Sequence, residues 1–409
     1  MPASFSLFLA SAVLAVTPPV ESALRHPVIT AFVLALGACV GSFLNVVIYR
    51  LPLNLSVSNP KRSFCPSCKT QIPAWQNLPI LSWILLRGKC AKCQAPINVR
   101  YVLVEALTAI VFLAIWWRFV PYGWGVPMVH WVLASLLIAS TFIDAEHFII
   151  PDGLTWKAAI AGGVLSALLP ALDAALPATG LLHPAGLEPN SLPSAPWHRA
   201  LFLSALGFAT GYGLLWSVVK LGKMAFGKFT HVFEQDTTWT IHEPSADAEP
   251  QLEVGEHTHL WSEMFGSERD QLIIECTEVL IDGVARPAPE GLVLHYNRAI
   301  IAGIEVPLEG VKKLQGVTRR IVRPREAMGM GDVKFVAMIG AFLGWPATIF
   351  ALMGGSILGA IGGLAQRWIA AQKESKPIPF GPYLALATFV YLFAGPELID
   401  WYLRSSGLR

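Results

Sequence analysis

The chain has 409 residues, of which 54% are hydrophobic and only 14% are charged. A soluble domain carries about 25% charge, so an ordinary soluble globular protein is excluded and a membrane protein is indicated. The formal net charge of +2 carries no argument for a nucleic-acid partner, and none is expected.

In chain order, Phe5–Val16 is apolar but short, has no basic stretch before it and runs into Pro18-Pro19. It reads as an interfacial extension within 1–26, not as a cleaved signal peptide. A helix crosses a bilayer with roughly 20 mostly apolar residues. Pro27–Tyr49, Phe119–Ile143, Ala200–Val219 and Pro377–Pro396 meet this with no Asp, Glu, Lys or Arg. Tyr101–Trp117 and Ala158–Pro177 carry one acid each, Glu105 and Asp173. Phe335–Gln366 is too long for one crossing, and Gly344-Trp345-Pro346 divides it. The fold class expected is an all-α polytopic membrane protein of about eight transmembrane helices. A small cytoplasmic zinc-binding domain and a small β-rich cytoplasmic insert complete it. The segments run 27–50 (first span), 51–100 (cysteine domain), 101–222 (spans), 223–325 (insert) and 326–409 (last spans).

Arg50–Arg100 contains eight Lys and Arg residues and no acid, whereas Ala174–His198 contains no Lys or Arg. Short basic loops stay in the cytoplasm. That places the cysteine segment, Asp144, Asp332 and the loop Lys373–Pro382 on the cytoplasmic side. Seventeen of the 28 acids lie between Lys223 and Gly331. Ser245–Pro250 reads as an acidic linker. Leu272–Ile281, Leu292–Tyr296 and Ala299–Val306 alternate as strands do, with glycine-bearing turns between them. They predict a small β-domain over roughly 255–322, a packing or docking insert with no chemistry of its own.

Cys65, Cys68, Cys90 and Cys93 form two CxxC pairs. Two such knuckles close a tetrahedral thiolate site on Zn²⁺. The surrounding basic residues offset the thiolate charge. The rival is a pair of disulfides, which needs an oxidising compartment that the topology argues against. Four protein ligands leave no open position, so the zinc expected is structural. Cys39 and Cys276 read as ordinary buried thiols.

Asp144 ends a long uncharged window. Asp332 lies in Gly329-Met-Gly331-Asp332-Val-Lys334, directly before an apolar run. An acid at membrane depth is expensive and marks a function by default. Gly329 and Gly331 allow close approach and unusual backbone shapes beside Asp332. Two carboxyls held close share a proton. The ionised one then draws a proton from water while its protonated partner polarises a carbonyl, which suits peptide hydrolysis. Taken singly, an Asp at a helix end is more often a cap or an interfacial anchor, and Asp152 and Asp173 read that way. Glu105 is either a helix-start charge or a supporting partner of the pair. Lys334 tunes Asp332 or, the more economical reading, snorkels to the surface. Glu146 and His147 read as solvated turn residues.

Together these motifs resemble the prepilin peptidases, or type IV leader peptidases, of the GxGD aspartic proteases. The resemblance rests on Gly41-Ser-Phe-Leu-Asn-Val-Val-Ile-Tyr-Arg-Leu-Pro52, the CxxC pairs enclosing Asn77-Leu-Pro-Ile-Leu-Ser-Trp83 and Leu86-Arg-Gly88, and Arg100–Thr108. It continues through Asp144 to Asp152, Gly329–Lys334 and Ile378-Pro-Phe-Gly-Pro382, in family order over about three quarters of the chain. It implies that Asp144 and Asp332 are the catalytic pair. It further implies cleavage of the basic leader of a type IV prepilin or type II secretion pseudopilin after a glycine, at the cytoplasmic face of a bacterial inner membrane. Methylation of the new N-terminus from S-adenosylmethionine is implied as well, with no readable nucleotide site. The long acidic insert departs from the family's short link. It is expected to attract basic leaders. The rival functions are a proton-coupled transporter using the same acids, an inactive assembly factor, and a methyltransferase alone.

Overall fold

The structure is a computed structural model that describes residues 25–59, 63–65, 67–122, 125–168, 196–226, 228–242, 250–255, 257–265, 271–324, 329–370 and 378–407. The apolar extension 5–16, Asp173, nearly all of the loop 174–198, the linker at 245–249 and the loop 373–377 lie outside the described residues. The chain divides into two units, Met1–Trp216 with Gly329–Arg409, and Ser217–Met328.

In the first unit, helix α1 (Pro27–Arg50) opens on a proline, whose missing N–H costs nothing in a first turn. A cysteine-bearing segment with the short helix α2 (Leu81–Leu85) follows. Then come α3 (Arg100–Phe119), α4 (Gly125–His147), α5 (Asp152–Leu168) and α6 (Pro196–Phe226). The second unit contributes ten strands and one helical turn, α7 (Trp261–Met264). The chain closes with α8 (Met330–Leu343), α9 (Trp345–Ala370) and α10 (Gly381–Ser405).

Among the described residues, six helices are long and apolar enough to cross a bilayer: α1, α3, α4, Trp197–Gly222 of α6, Trp345–Gln366 of α9, and α10. The chain is a multi-pass membrane protein. At about 1.5 Å per residue, the 20 residues of α3 match a hydrocarbon layer of about 30 Å. The 17 residues of α5 and the 14 of α8 fall short of it. The break expected at Gly344 is present: its φ of 80° ends α8 and lets α9 restart at Trp345.

Lipid offers no hydrophobic drive between helices, so close packing of small residues joins them. On α1 a Cβ added at Gly37 or Gly41 would lie 2.7 Å from the α3 backbone, at Ala109 and Glu105. Between α6 and α8 the fit is tighter. A Cβ on Gly207 or Gly340 would stand 2.1 Å from the other residue's carbonyl oxygen. There the Ser204 hydroxyl donates to the Ala341 carbonyl at 2.7 Å. Leu44, Val47 and Ile48 of α1, Val104 of α3, and Ile138, Ala139 and Ile143 of α4 form one buried cluster.

The second unit is a sheet ordered β3-β2-β1-β10-β4-β7-β8-β9, with β5 on β10 and β6 on β5. Its strands are β1 (Lys228–His242), β2 (Gln251–Val254), β3 (His257–Leu260), β4 (Gln271–Glu275), β5 (Glu278–Ile281), β6 (Val284–Pro287), β7 (Leu292–His295), β8 (Arg298–Ile301), β9 (Ile304–Pro307) and β10 (Lys313–Pro324). Asp282-Gly283 and Ala302-Gly303, all at positive φ, close two-residue hairpins of the hand that suits strand twist. Leu272, Ile274, Leu292, Leu294, Ala299 and Ile301 pack with the fully buried Trp239. The strands begin at Lys228, well ahead of 255. The polar run from Glu234 to Thr238 hides the alternation of β1, and antiparallel pairing with β10 is what makes it a strand.

Candidate active site

Asp144 sits in the last turn of α4, only 6% exposed. Its Oδ2 accepts the Gly381 backbone N–H at 2.8 Å, from the first residue of α10. A side chain at 381 is excluded, because its Cβ would stand 2.7 Å from that same oxygen. Asp332 lies in the first turn of α8, where the helix dipole favours a negative charge. Gly331, next to Asp332, and Gly381 both stand against Ile150, in the short link between α4 and α5. A Cβ on Gly331 would touch Ile150 at 3.3 Å, and one on Gly381 would meet the Ile150 side chain at 3.2 Å. Asp144 is close enough to Asp332 for its charge to act there. The structure thus sets Gly331, beside Asp332, and Gly381, whose N–H binds Asp144, around one residue, Ile150.

Gly329 has φ −69° and ψ 144°, an extended shape open to any residue. The unusual backbone expected there is absent, and close approach at Gly331 is the requirement the structure shows. Lys334 does not face Asp332: its Nζ lies 2.5 Å from Oδ1 of Asp152, the first residue of α5. With Asp152 64% exposed, such a pair contributes about 0–1 kcal/mol. Glu146 is exposed but pairs with Arg100 at the start of α3. Glu105 is buried in α3 and accepts the Ile80 backbone N–H at 2.7 Å. The Gly381 amide and Ile150 are the residues that sequence reasoning missed. Gly381 stood inside a recognised motif, but no pattern assigns its N–H to a carboxylate 237 positions away.

The cysteines form two matching knuckles. The Cys65 N–H donates to the Thr70 carbonyl and the Cys90 N–H to that of Ala95. Lys69 and Gln94, each four residues past the first cysteine, both take positive φ. All four Sγ atoms lie within 4.8 Å of one another, with Cys65 and Cys93 at 3.8 Å. Four thiolates at about 2.3 Å from a tetrahedral Zn²⁺ stand about 3.8 Å apart, so the set fits that ion. No disulfide is present among these cysteines. Hydrogen bonds from Thr70, side chain first and then backbone, draw the Cys68 thiol down to about 6, toward the thiolate. Cys39 is exposed on α1 and Cys276 half-buried, not the buried thiols expected.

The described residues define a multi-pass membrane protein with a buried acid at the end of α4, another acid at the start of α8, and a four-thiol module between α1 and α3. Residues 35–119 match the Bacterial Peptidase A24 N-terminal domain, and residues 297–364 match the Type IV leader peptidase family. The prepilin leader peptidase/N-methyltransferase of Aeromonas hydrophila is 29% identical over 90% of this chain and 91% of its own. That of Stutzerimonas stutzeri is 27% identical over 95% and 99%. The Neisseria gonorrhoeae protein of the same name is 43% identical over 29% of this chain and 49% of its own. No solved structure matches significantly. The chain is thus similar to the type IV leader peptidase family over most of its length.

Proposed function

We propose that this chain is an aspartic endopeptidase that removes the leader of type IV prepilins or type II secretion pseudopilins. In this reading Asp144 and Asp332 are the catalytic pair, at the cytoplasmic face of a bacterial inner membrane. The single observation that carries it is the packing of Gly331, beside Asp332, and of Gly381, whose N–H binds Asp144, against one residue, Ile150. The Gly381 N–H fixes one oxygen of Asp144, which leaves Oδ1 to take a proton from water. The partner carboxyl, when protonated, donates to the scissile carbonyl. Such paired general acid–base work contributes about 10²–10⁴-fold per group. Gly331 keeps the approach to Asp332 free of side-chain bulk. Lys334 supports the site indirectly, by tying α8 to α5 through Asp152.

A substrate whose apolar helix stays in the bilayer presents its junction at the ends of the spans, where these acids lie. With α5 and α8 counted as short crossings, the helices number eight. The segments 1–26, 27–50, 51–100, 101–222, 223–325 and 326–409 then act as extension, first span, zinc module, spans, acidic insert and last spans. Structural Zn²⁺ is held by Cys65, Cys68, Cys90 and Cys93. The relatives' names support N-methylation of the new N-terminus. S-adenosylmethionine would supply that methyl group, and the described residues assign no site to it. The test is incubation of the reconstituted chain with a candidate prepilin and mass measurement of the product. Leader loss with an added methyl group supports both activities. An uncut prepilin contradicts the reading and leaves the transporter.

A further inference from the structure

Between the two knuckles the chain makes an unusual turn. The Leu81 N–H donates to the Pro79 carbonyl at 2.6 Å, and Ile80 between them has φ 64° and ψ −53°. This is the strained hand of γ-turn, and positive φ is an outlier for a β-branched residue. What holds it is Glu105, 8% exposed, whose carboxylate accepts the Ile80 N–H at 2.7 Å and whose backbone stands against Gly41 of α1. Glu105 lies five residues inside α3, about 7.5 Å below its start at about 1.5 Å per residue. Gly41 lies nine residues before the end of α1, about 13 Å below it by the same rise. The turn is therefore tethered deeper than the ends of both spans.

The side chains around the tether are apolar and open. Trp75 is 69% exposed, Leu78 50%, Leu81 58%, Ile84 58% and Leu85 79%. A contiguous apolar patch of this kind marks an interaction site on a soluble surface, and at a membrane it marks lipid. Helix α2 divides its faces accordingly. Trp83 turns to the second knuckle, donating to the Ile97 carbonyl at 3.3 Å, while Leu81, Ile84 and Leu85 turn away. The backbone is largely satisfied within the segment, with Ser82, Ile84 and Leu86 N–H groups bonded to Leu78, Ile80 and Ser82 carbonyls. Non-helical backbone at membrane depth requires such pairing. Lys69, Arg87, Lys89 and Lys92 flank residues 75–85 in the sequence, and no acid lies between Arg50 and Arg100. Basic residues beside an apolar face suit anionic headgroups above acyl chains.

We propose that residues 75–85 form an apolar wedge seated among the acyl chains of an anionic leaflet and pinned there by Glu105. The occupant of the patch is lipid. The four-cysteine module is thereby anchored to the bilayer from beneath. The inference is independent of the peptidase reading.

The experiment places the photoreactive residue benzoylphenylalanine singly at Leu81, Leu85, Ile110 or Val284 in the full chain, reconstituted in phosphatidylcholine–phosphatidylglycerol nanodiscs. Ile110, exposed in mid-α3, is the lipid reference, and Val284, exposed on β6, is the non-lipid reference. Lipid adducts at Leu81 and Leu85 comparable to those at Ile110 are expected. Adducts only to protein, or none, as at Val284, overturn the wedge. A second arm repeats the Leu81 probe with Glu105→Ala and Glu105→Gln. Alanine is expected to lower the lipid adduct severalfold, and glutamine, whose amide oxygen still accepts, to retain it. Bound zinc and the Ile110 adduct, measured alongside, show that the chain remains folded. An unchanged adduct in Glu105→Ala overturns the tether.

Discussion

Gly381 carries two demands at once: its N–H reaches Asp144, and its missing side chain leaves room for that carboxylate. Gly381→Ala should therefore disable the site without unfolding the protein. A displacement of about 1 Å at reacting groups costs about a hundredfold in rate. Cleavage of a prepilin should fall by that order while thermal stability in detergent stays near wild type, and wild-type rates would argue against the contact. Other residues of the recognised motifs resolve into plain packing. Gly41 admits Glu105, Asn45 donates to the Tyr101 carbonyl at 3.0 Å, and Arg50 donates to the carbonyls of Ser56 and Val57. Asp144 and Asp332 were legible because an acid beside a long apolar run violates the expected pattern. The Gly381 amide was not, since a backbone donor leaves no trace in composition. No partner for Lys334 was legible in the sequence: a cation two residues from an acid suggests a pair, but helix geometry sends it to Asp152 on another element.

The helices were legible from hydropathy and their ends from Pro27, Gly344 and Pro382, but their contacts were not. Gly207 and Gly211 sit one turn apart on α6 against α8, and periodicity cannot reveal which helix they face. Gly207→Ala pushes a methyl group into the Gly340 carbonyl, and overpacking of this kind costs about 1–3 kcal/mol. Thermal unfolding in detergent should show the loss, and an unchanged melting temperature would disprove the close crossing. At the knuckles, CxxC spacing alone pointed to the cluster, because two CxxC pairs with 21 residues between them have one economical arrangement. Cys65→Ser should abolish the single zinc expected per chain, read by elemental mass spectrometry. Retention of full metal would contradict the four-thiolate site. Strand β1 was illegible because its partner β10 lies about 80 residues on, and polar side chains cover its exposed face.

At the level of the whole molecule, the acids are concentrated away from the cysteine segment. Residues 223–331 hold 17 acids against 11 basic residues, whereas 50–100 holds none against eight. A negative domain raises the local concentration of a basic peptide, an effect that salt screens over about 10 Å at 0.1 M. Replacing Lys228–Arg320 by a short flexible link should slow cleavage of a basic leader more than that of a neutral one, most clearly at low salt. Equal effects on both leaders would remove any electrostatic role for the insert. The most direct measurement compares prepilin cleavage by wild type, Asp144→Asn, Asp332→Asn and the double variant in the same membranes. Groups that act as a unit are non-additive. Each single substitution should therefore abolish cleavage as completely as the double one, with every protein still membrane-inserted. Substantial cleavage by either single variant, or losses that simply multiply, would contradict a shared catalytic pair.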